Sequence, residues 1–108
     1  MWQVELIDEA KKDLKKLDHS VQVMVLKSLV KVSSNPKAKS DGGYGSPLGN
    51  MAGNDLTGLF KIKLRDAGIR IVYKLLIDDS TMKVIIIAAR TDMEVYKEAA
   101  RRRIKHGL

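Results

Sequence analysis

The stretch Gly58-Leu59-Phe60-Lys61-Ile62-Lys63-Leu64-Arg65-Asp66-Ala67-Gly68-Ile69-Arg70-Ile71-Val72-Tyr73-Lys74 reads as two strands and the turn between them. Phe60, Ile62 and Leu64 alternate with Lys61, Lys63 and Arg65, the period of two that sends successive side chains to opposite faces of a sheet. The first strand runs from Leu59 to Leu64 and the second from Ile69 to Leu76, with Asp66-Ala67-Gly68 as the hairpin turn. A second spacer, Asp78-Asp79-Ser80, leads into a third strand from Met82 to Ala89. The second half of the chain is therefore built on a three-stranded antiparallel meander.

Working outward, Trp2, Val4 and Leu6 alternate with Gln3 and Glu5 and predict a short N-terminal strand. Asp8 then opens a helix with Ala10, Leu14 and Leu17 on one side and Lys11, Lys12, Lys15 and Lys16 on the other. Ser20 caps a second helix whose Val21, Val25, Leu29 and Val32 recur at helical spacing, and the short link at Asp18-His19 makes the two a hairpin. From Ser33 to Gly58 the chain holds both prolines and most of the glycines without apolar periodicity, which predicts a mobile loop able to order on a partner. At the other end, Thr91 followed by Glu94 spells a capping box, and the helix it opens runs to Arg101-Arg102-Arg103 and Lys105. The expected fold is α+β: N-terminal strand, helix hairpin, three-stranded antiparallel meander and C-terminal helix, one domain over residues 1–108, with the helices on one face of the sheet.

Lys and Arg number 20 against 13 Asp and Glu, so a chain of 108 residues carries a formal charge of +7, which favours an anionic partner such as nucleic acid. The chain has no cysteine, which excludes disulfides and thiolate metal sites. Charged residues interrupt the N-terminal stretch where a secretory signal needs an apolar run, and Val84 to Ala89 is too short to span a bilayer, so a cytoplasmic protein with no membrane contact is expected.

The most informative side chains are the cations of the meander. Lys61, Lys63 and Arg65 fall on one face of the first strand, and Arg70, in step with Val72 and Lys74 on the next, comes alongside them. Like charges opposed across a hairpin repel, so this grouping calls for an anion, and phosphate is the obvious one. Arg90 closes the last strand, and Tyr96 follows early in the final helix, where a ring beside a cationic surface can stack on an RNA base. Arg101 and Arg102 could add backbone contacts or meet an acidic protein segment. His19 and His106 have no partner spacing suited to metal or acid–base work, and Gly42-Gly43-Tyr44-Gly45 lacks the strand and lysine of a phosphate loop, so no metal and no cofactor are expected.

The run Gly58 to Arg65, then Gly68-Ile69-Arg70-Ile71-Val72-Tyr73, then Arg90 and Glu94-Val95-Tyr96-Lys97-Glu98-Ala99, resembles the second half of RelE-type toxins of type II toxin–antitoxin systems. The resemblance implies a microbial ribonuclease-like fold and a ribosome-dependent endoribonuclease that cuts mRNA in the A site, with a cognate antitoxin as partner. It further implies that Lys61, Lys63, Arg70, Arg90 and Tyr96 are catalytic. The ribose 2′-hydroxyl would attack the adjacent phosphate and leave a cyclic phosphate and a 5′-hydroxyl. Lys63 would be the general base, Arg90 would protonate or stabilise the leaving oxygen, Lys61 and Arg70 would hold the charge on phosphorus, and Tyr96 would stack on a base. A lysine base needs neighbouring cations to make it release its proton, and Lys61, Arg70 and Arg90 would supply them. Two rivals stand beside this reading: a ParE-like toxin acting on DNA gyrase, and a noncatalytic nucleic-acid-binding module.

Overall fold

The computed structural model describes residues 1–51 and 53–108. In chain order the elements are β1 (Gln3–Leu6), α1 (Asp8–Lys15), α2 (His19–Ser33), β2 (Ser46–Pro47), β3 (Asn50–Met51), β4 (Asn54–Asp55), β5 (Leu59–Leu64), β6 (Ile69–Leu76), β7 (Thr81–Ala88) and α3 (Asp92–Lys105). The sheet runs β1-β7-β6-β5-β2, with β1 parallel to β7 and every other pair antiparallel. The meander, the helix pair and the closing helix are all present. The caps expected at Asp8 and Ser20 shift by one and two residues, to Ile7 and Asp18, and neither makes a side-chain bond. The Thr91 cap forms in full: its hydroxyl accepts from the Glu94 N–H while the Glu94 carboxylate accepts from the Thr91 N–H.

Two features differ from the sequence expectation. The helices do not share one face. Ile62 and Leu64 of β5 look toward Val32 of α2, whereas Lys61, one residue out of phase, meets Tyr96 of α3. The hairpin α1/α2 and the helix α3 thus cover opposite faces, and the cationic face of the meander lies under the start of α3. Both layers are apolar at the contact: Ala10, Val25, Leu29 and Val32 are buried on one side, and Val95, Tyr96 and Ala99 on α3.

The second difference is the segment between Ser33 and Gly58, which packs against the domain where a mobile loop was expected. Leu48 and Leu56 are buried in the core, and β2 adds itself to the edge of β5. Tyr73 tethers the segment from below, its hydroxyl donating to the Pro36 carbonyl at 2.7 Å and its ring stacked on Phe60. Burial pushes the Tyr73 phenol well above its ordinary value, so it stays a donor. Isolated leucines among glycines and polar residues have no period, which is why the sequence pattern hides this anchoring.

Where β1 ends, β7 loses its neighbour. Leu6 pairs with Val84, and beyond that point the outer edge of β7 is taken over by side chains. The Asp13 carboxylate accepts the Ile87 N–H at 3.1 Å, and the Arg102 guanidinium donates to the Ile85 carbonyl at 3.0 Å and to Asp13 at 2.6 Å. A pair from α1 and α3 thus continues the ladder and joins the two helical layers around the sheet edge.

Candidate active site

Register brings the cations together. Lys63 lies directly opposite Arg70 across the β5/β6 ladder, and Lys61 lies two residues along the same face, opposite Val72. Alternation along β5 and β6 makes this grouping unavoidable once the hairpin register is set by the Asp66-Ala67-Gly68 turn, whose Gly68 takes the positive φ of 65° that ends it. Each cation then finds a partner from the first turns of α3. The Lys61 Nζ donates to the Tyr96 hydroxyl at 3.1 Å and lies 5.8 Å from the ring centroid. The Lys63 Nζ stands 3.4 Å from the Asp92 carboxylate. Arg70 donates its Nε to the other Asp92 oxygen and its Nη1 to the Arg90 carbonyl at 2.7 Å.

Asp92 is the residue that sequence reasoning missed. It bridges Lys63 and Arg70 and so supplies the anion that two opposed cations require. Burial works against its charge, but the hydrogen bonds from Arg70 and Lys63 hold its carboxyl below the usual carboxylate range. Its side chain is 41% exposed, so the bridge is open to solvent and to exchange for another anion. The only sequence signal was its place in the first turn of a helix, where an acidic residue is ordinary. Three cations against one carboxylate leave the site with an excess of positive charge.

The remaining site residues separate. Tyr96 is 4% exposed, so in this structure its ring presents no free face to a base, and its hydroxyl accepts from the Lys61 amine. Arg90 reaches the trio through its backbone carbonyl alone; its side chain lines a separate surface cleft with Glu94, Lys97, Glu98 and Arg101. Arg65 is exposed at the β5/β6 turn beside Lys63. Lys74 lies at the far end of β6, donating to the Leu108 carbonyl at 2.5 Å. Arg101 is exposed and held by Glu98. Arg102, expected to touch RNA, is instead 6% exposed with its donors on Asp13, Glu98 and Ile85, so no phosphate reaches it. Among the described residues no group of His, Cys, Asp and Glu could hold a metal ion, and no helix is long and apolar enough to cross a membrane.

No protein-family model matches the chain. The chain is 32% identical over 95 residues to the mRNA interferase toxin RelE of Escherichia coli K12, a match spanning 88% of this chain and 90% of that protein. Its structure superposes on the free state of an E. coli RelE variant with two arginines replaced by alanine, at a TM-score of 0.73 and 29% identity, covering 94% of this chain and 96% of that one. The same variant bound to a RelBc antitoxin peptide gives a TM-score of 0.69 at 28% identity, covering 91% and 93%. The fold is that of a RelE-type toxin. The chain belongs to the RelE toxin family.

Proposed function

We propose that this protein is an mRNA interferase, a toxin that cuts mRNA in the ribosomal A site and is held in check by a cognate antitoxin. One observation carries the catalytic reading: Lys63 and Arg70 are opposed in register, with Lys61 beside them, around a seat that an exchangeable carboxylate fills. A phosphodiester carries the same charge and presents the same pair of oxygens, so the scissile phosphate replaces Asp92. The relatives' name and the RelBc peptide bound to one of them support the activity and the partner.

In the reaction the 2′-oxygen bonds to phosphorus, the bond from phosphorus to the 5′-oxygen breaks, and the products are a cyclic phosphate and a 5′-hydroxyl. Lys61, steadied by Tyr96, and Arg70 neutralise the charge that builds on the phosphate oxygens. Lys63 takes the proton of the 2′-hydroxyl once Asp92 has left it and the amine has lost its own proton to solvent. Arg90 stabilises the leaving 5′-oxygen by charge, swinging in from its own cleft, and that oxygen takes its proton from water to become the 5′-hydroxyl; a guanidinium with a pKa above about 12 is a poor proton donor. Orientation must supply much of the acceleration, up to about 7–11 kcal/mol, which is the physical reason for working on mRNA held by the ribosome. Action on translating ribosomes puts the protein in the cytoplasm.

The test is to add the protein to an mRNA in a reconstituted translation reaction, with and without ribosomes, and to map 5′ ends by primer extension. Cuts inside the ribosome-occupied codon, ending in 5′-hydroxyls and absent without ribosomes, are expected. Intact mRNA with normal translation contradicts the reading and directs attention to gyrase supercoiling, whereas blocked translation without cuts indicates a noncatalytic binder.

A further inference from the structure

With Tyr96 buried, the cationic trio has no stacking surface of its own on α3. An exposed aromatic ring stands on the other side of β5. Tyr44 lies between α2 and β2, is 44% exposed, and has the Lys31 Nζ 5.2 Å from its ring centroid. Its backbone is held closely. The Tyr44 N–H donates to the Asn35 carbonyl at 3.0 Å, and glycines flank it for steric reasons. A Cβ on Gly43 would fall 2.1 Å from the Lys37 carbonyl oxygen, and one on Gly45 would fall 2.3 Å from the Tyr73 hydroxyl. The ring is therefore presented from a stiff stretch of backbone.

Between this ring and β5 lies a cleft of about 370 Å³, within the range of small-ligand sites. Lys31, Lys39, Lys61, Lys63 and Arg65 line it with Tyr44, and none of its lining residues is acidic. Lys61 and Lys63 belong to the catalytic trio as well, so the cleft and the trio are continuous across the β5 edge. A stacking ring among cations, opening onto a phosphate seat, is how single-stranded RNA is held without base pairing.

We propose that this cleft receives the mRNA nucleotide next to the scissile phosphate, with its base stacked on Tyr44 and its backbone held by the surrounding lysines. The assignment rests on the ribonuclease reading. It gives Tyr44 the stacking role that the resemblance gave to Tyr96.

The experiment measures single-turnover cleavage of ribosome-bound mRNA against toxin concentration for wild type, Tyr44→Leu, Tyr44→Trp and Lys39→Gln. Loss of one stacked base raises the half-saturating concentration of Tyr44→Leu about 5- to 150-fold, while Tyr44→Trp stays near wild type. Lys39→Gln weakens binding and lowers the salt slope by about one. Wild-type behaviour of Tyr44→Leu overturns the inference. So does equal damage in the Leu and Trp variants, which marks a structural role. So too does normal cutting by all variants with weakened binding of an acidic antitoxin peptide, which assigns the cleft to a protein. If wild type cuts nothing, the ribonuclease reading fails instead. The cleft is then tested alone by fluorescence anisotropy with a single-stranded RNA oligonucleotide, which Tyr44→Leu must bind more weakly than wild type.

Discussion

Two aspartates in this molecule each hold an arginine, and they do opposite things. Asp13 and Arg102 are buried, at 9% and 7% side-chain exposure, and their donors and acceptors are spent on each other, on Glu98 or on the open edge of β7. Asp92 and Arg70 sit at the surface, and the arginine shares its carboxylate with Lys63. Burial makes the first pair permanent, because separating it would strand a charge in the core. Exposure makes the second replaceable, because water and a competing anion can reach both partners. Charge chemistry alone does not tell a structural pair from a functional one; what surrounds the pair does.

Removing one partner from each pair should have opposite consequences. Arg102→Ala leaves Asp13 uncompensated and the Ile85 carbonyl without its donor, and should cost about 3–5 kcal/mol in unfolding free energy by urea titration. A loss under about 1 kcal/mol would show that the edge of β7 does not depend on this pair.

At the surface pair the expected effects are smaller and change sign between readouts. Asp92→Asn should lower stability by only about 0.5–1 kcal/mol, since the bridge is exposed. The same change frees Lys63 and Arg70 for a phosphate, so binding to single-stranded RNA should tighten and its salt slope steepen by about one. Weaker RNA binding would show that Asp92 organises the cations and does not compete with substrate. Acid should separate the networks further. Arg101 and Arg102, against some burial, hold the Glu98 carboxyl down at about 2, below its ordinary value of 4.5. A depressed carboxyl contributes stability above its unfolded value and loses it as pH falls through the folded one, so unfolding free energy should drop between about pH 4.5 and 2. In Glu98→Gln that drop should shrink.

The meander, its register, the helix pair and the capping box at Thr91 were all legible, because each is written in local periods or short motifs that the backbone obeys directly. The gathering of Lys61, Lys63 and Arg70 was legible for the same reason: alternation decides which side chains share a face. What alternation cannot say is which layer covers that face. The placement of α3 over the cations, and with it the burial of Tyr96, comes from tertiary packing. So does the fate of Arg102, which the sequence offers as a contact to an RNA backbone but which Asp13, 89 residues away, claims. Asp92 was hidden differently, in a position where an acid is ordinary. The segment around Tyr44 looked like loop because single anchors such as Leu48 and Leu56 leave no periodic trace.

The proposed activity requires that the Lys61, Lys63 and Arg70 seat perform the cut. The most direct measurement is the single-turnover rate of mRNA cleavage on ribosomes for wild type, Lys63→Ala and Arg70→Ala, each checked for folding by thermal melting. Rates should fall by about 10²–10³-fold in both variants, with melting close to wild type, since neither side chain is buried. Folded variants that cut at the wild-type rate would contradict that requirement.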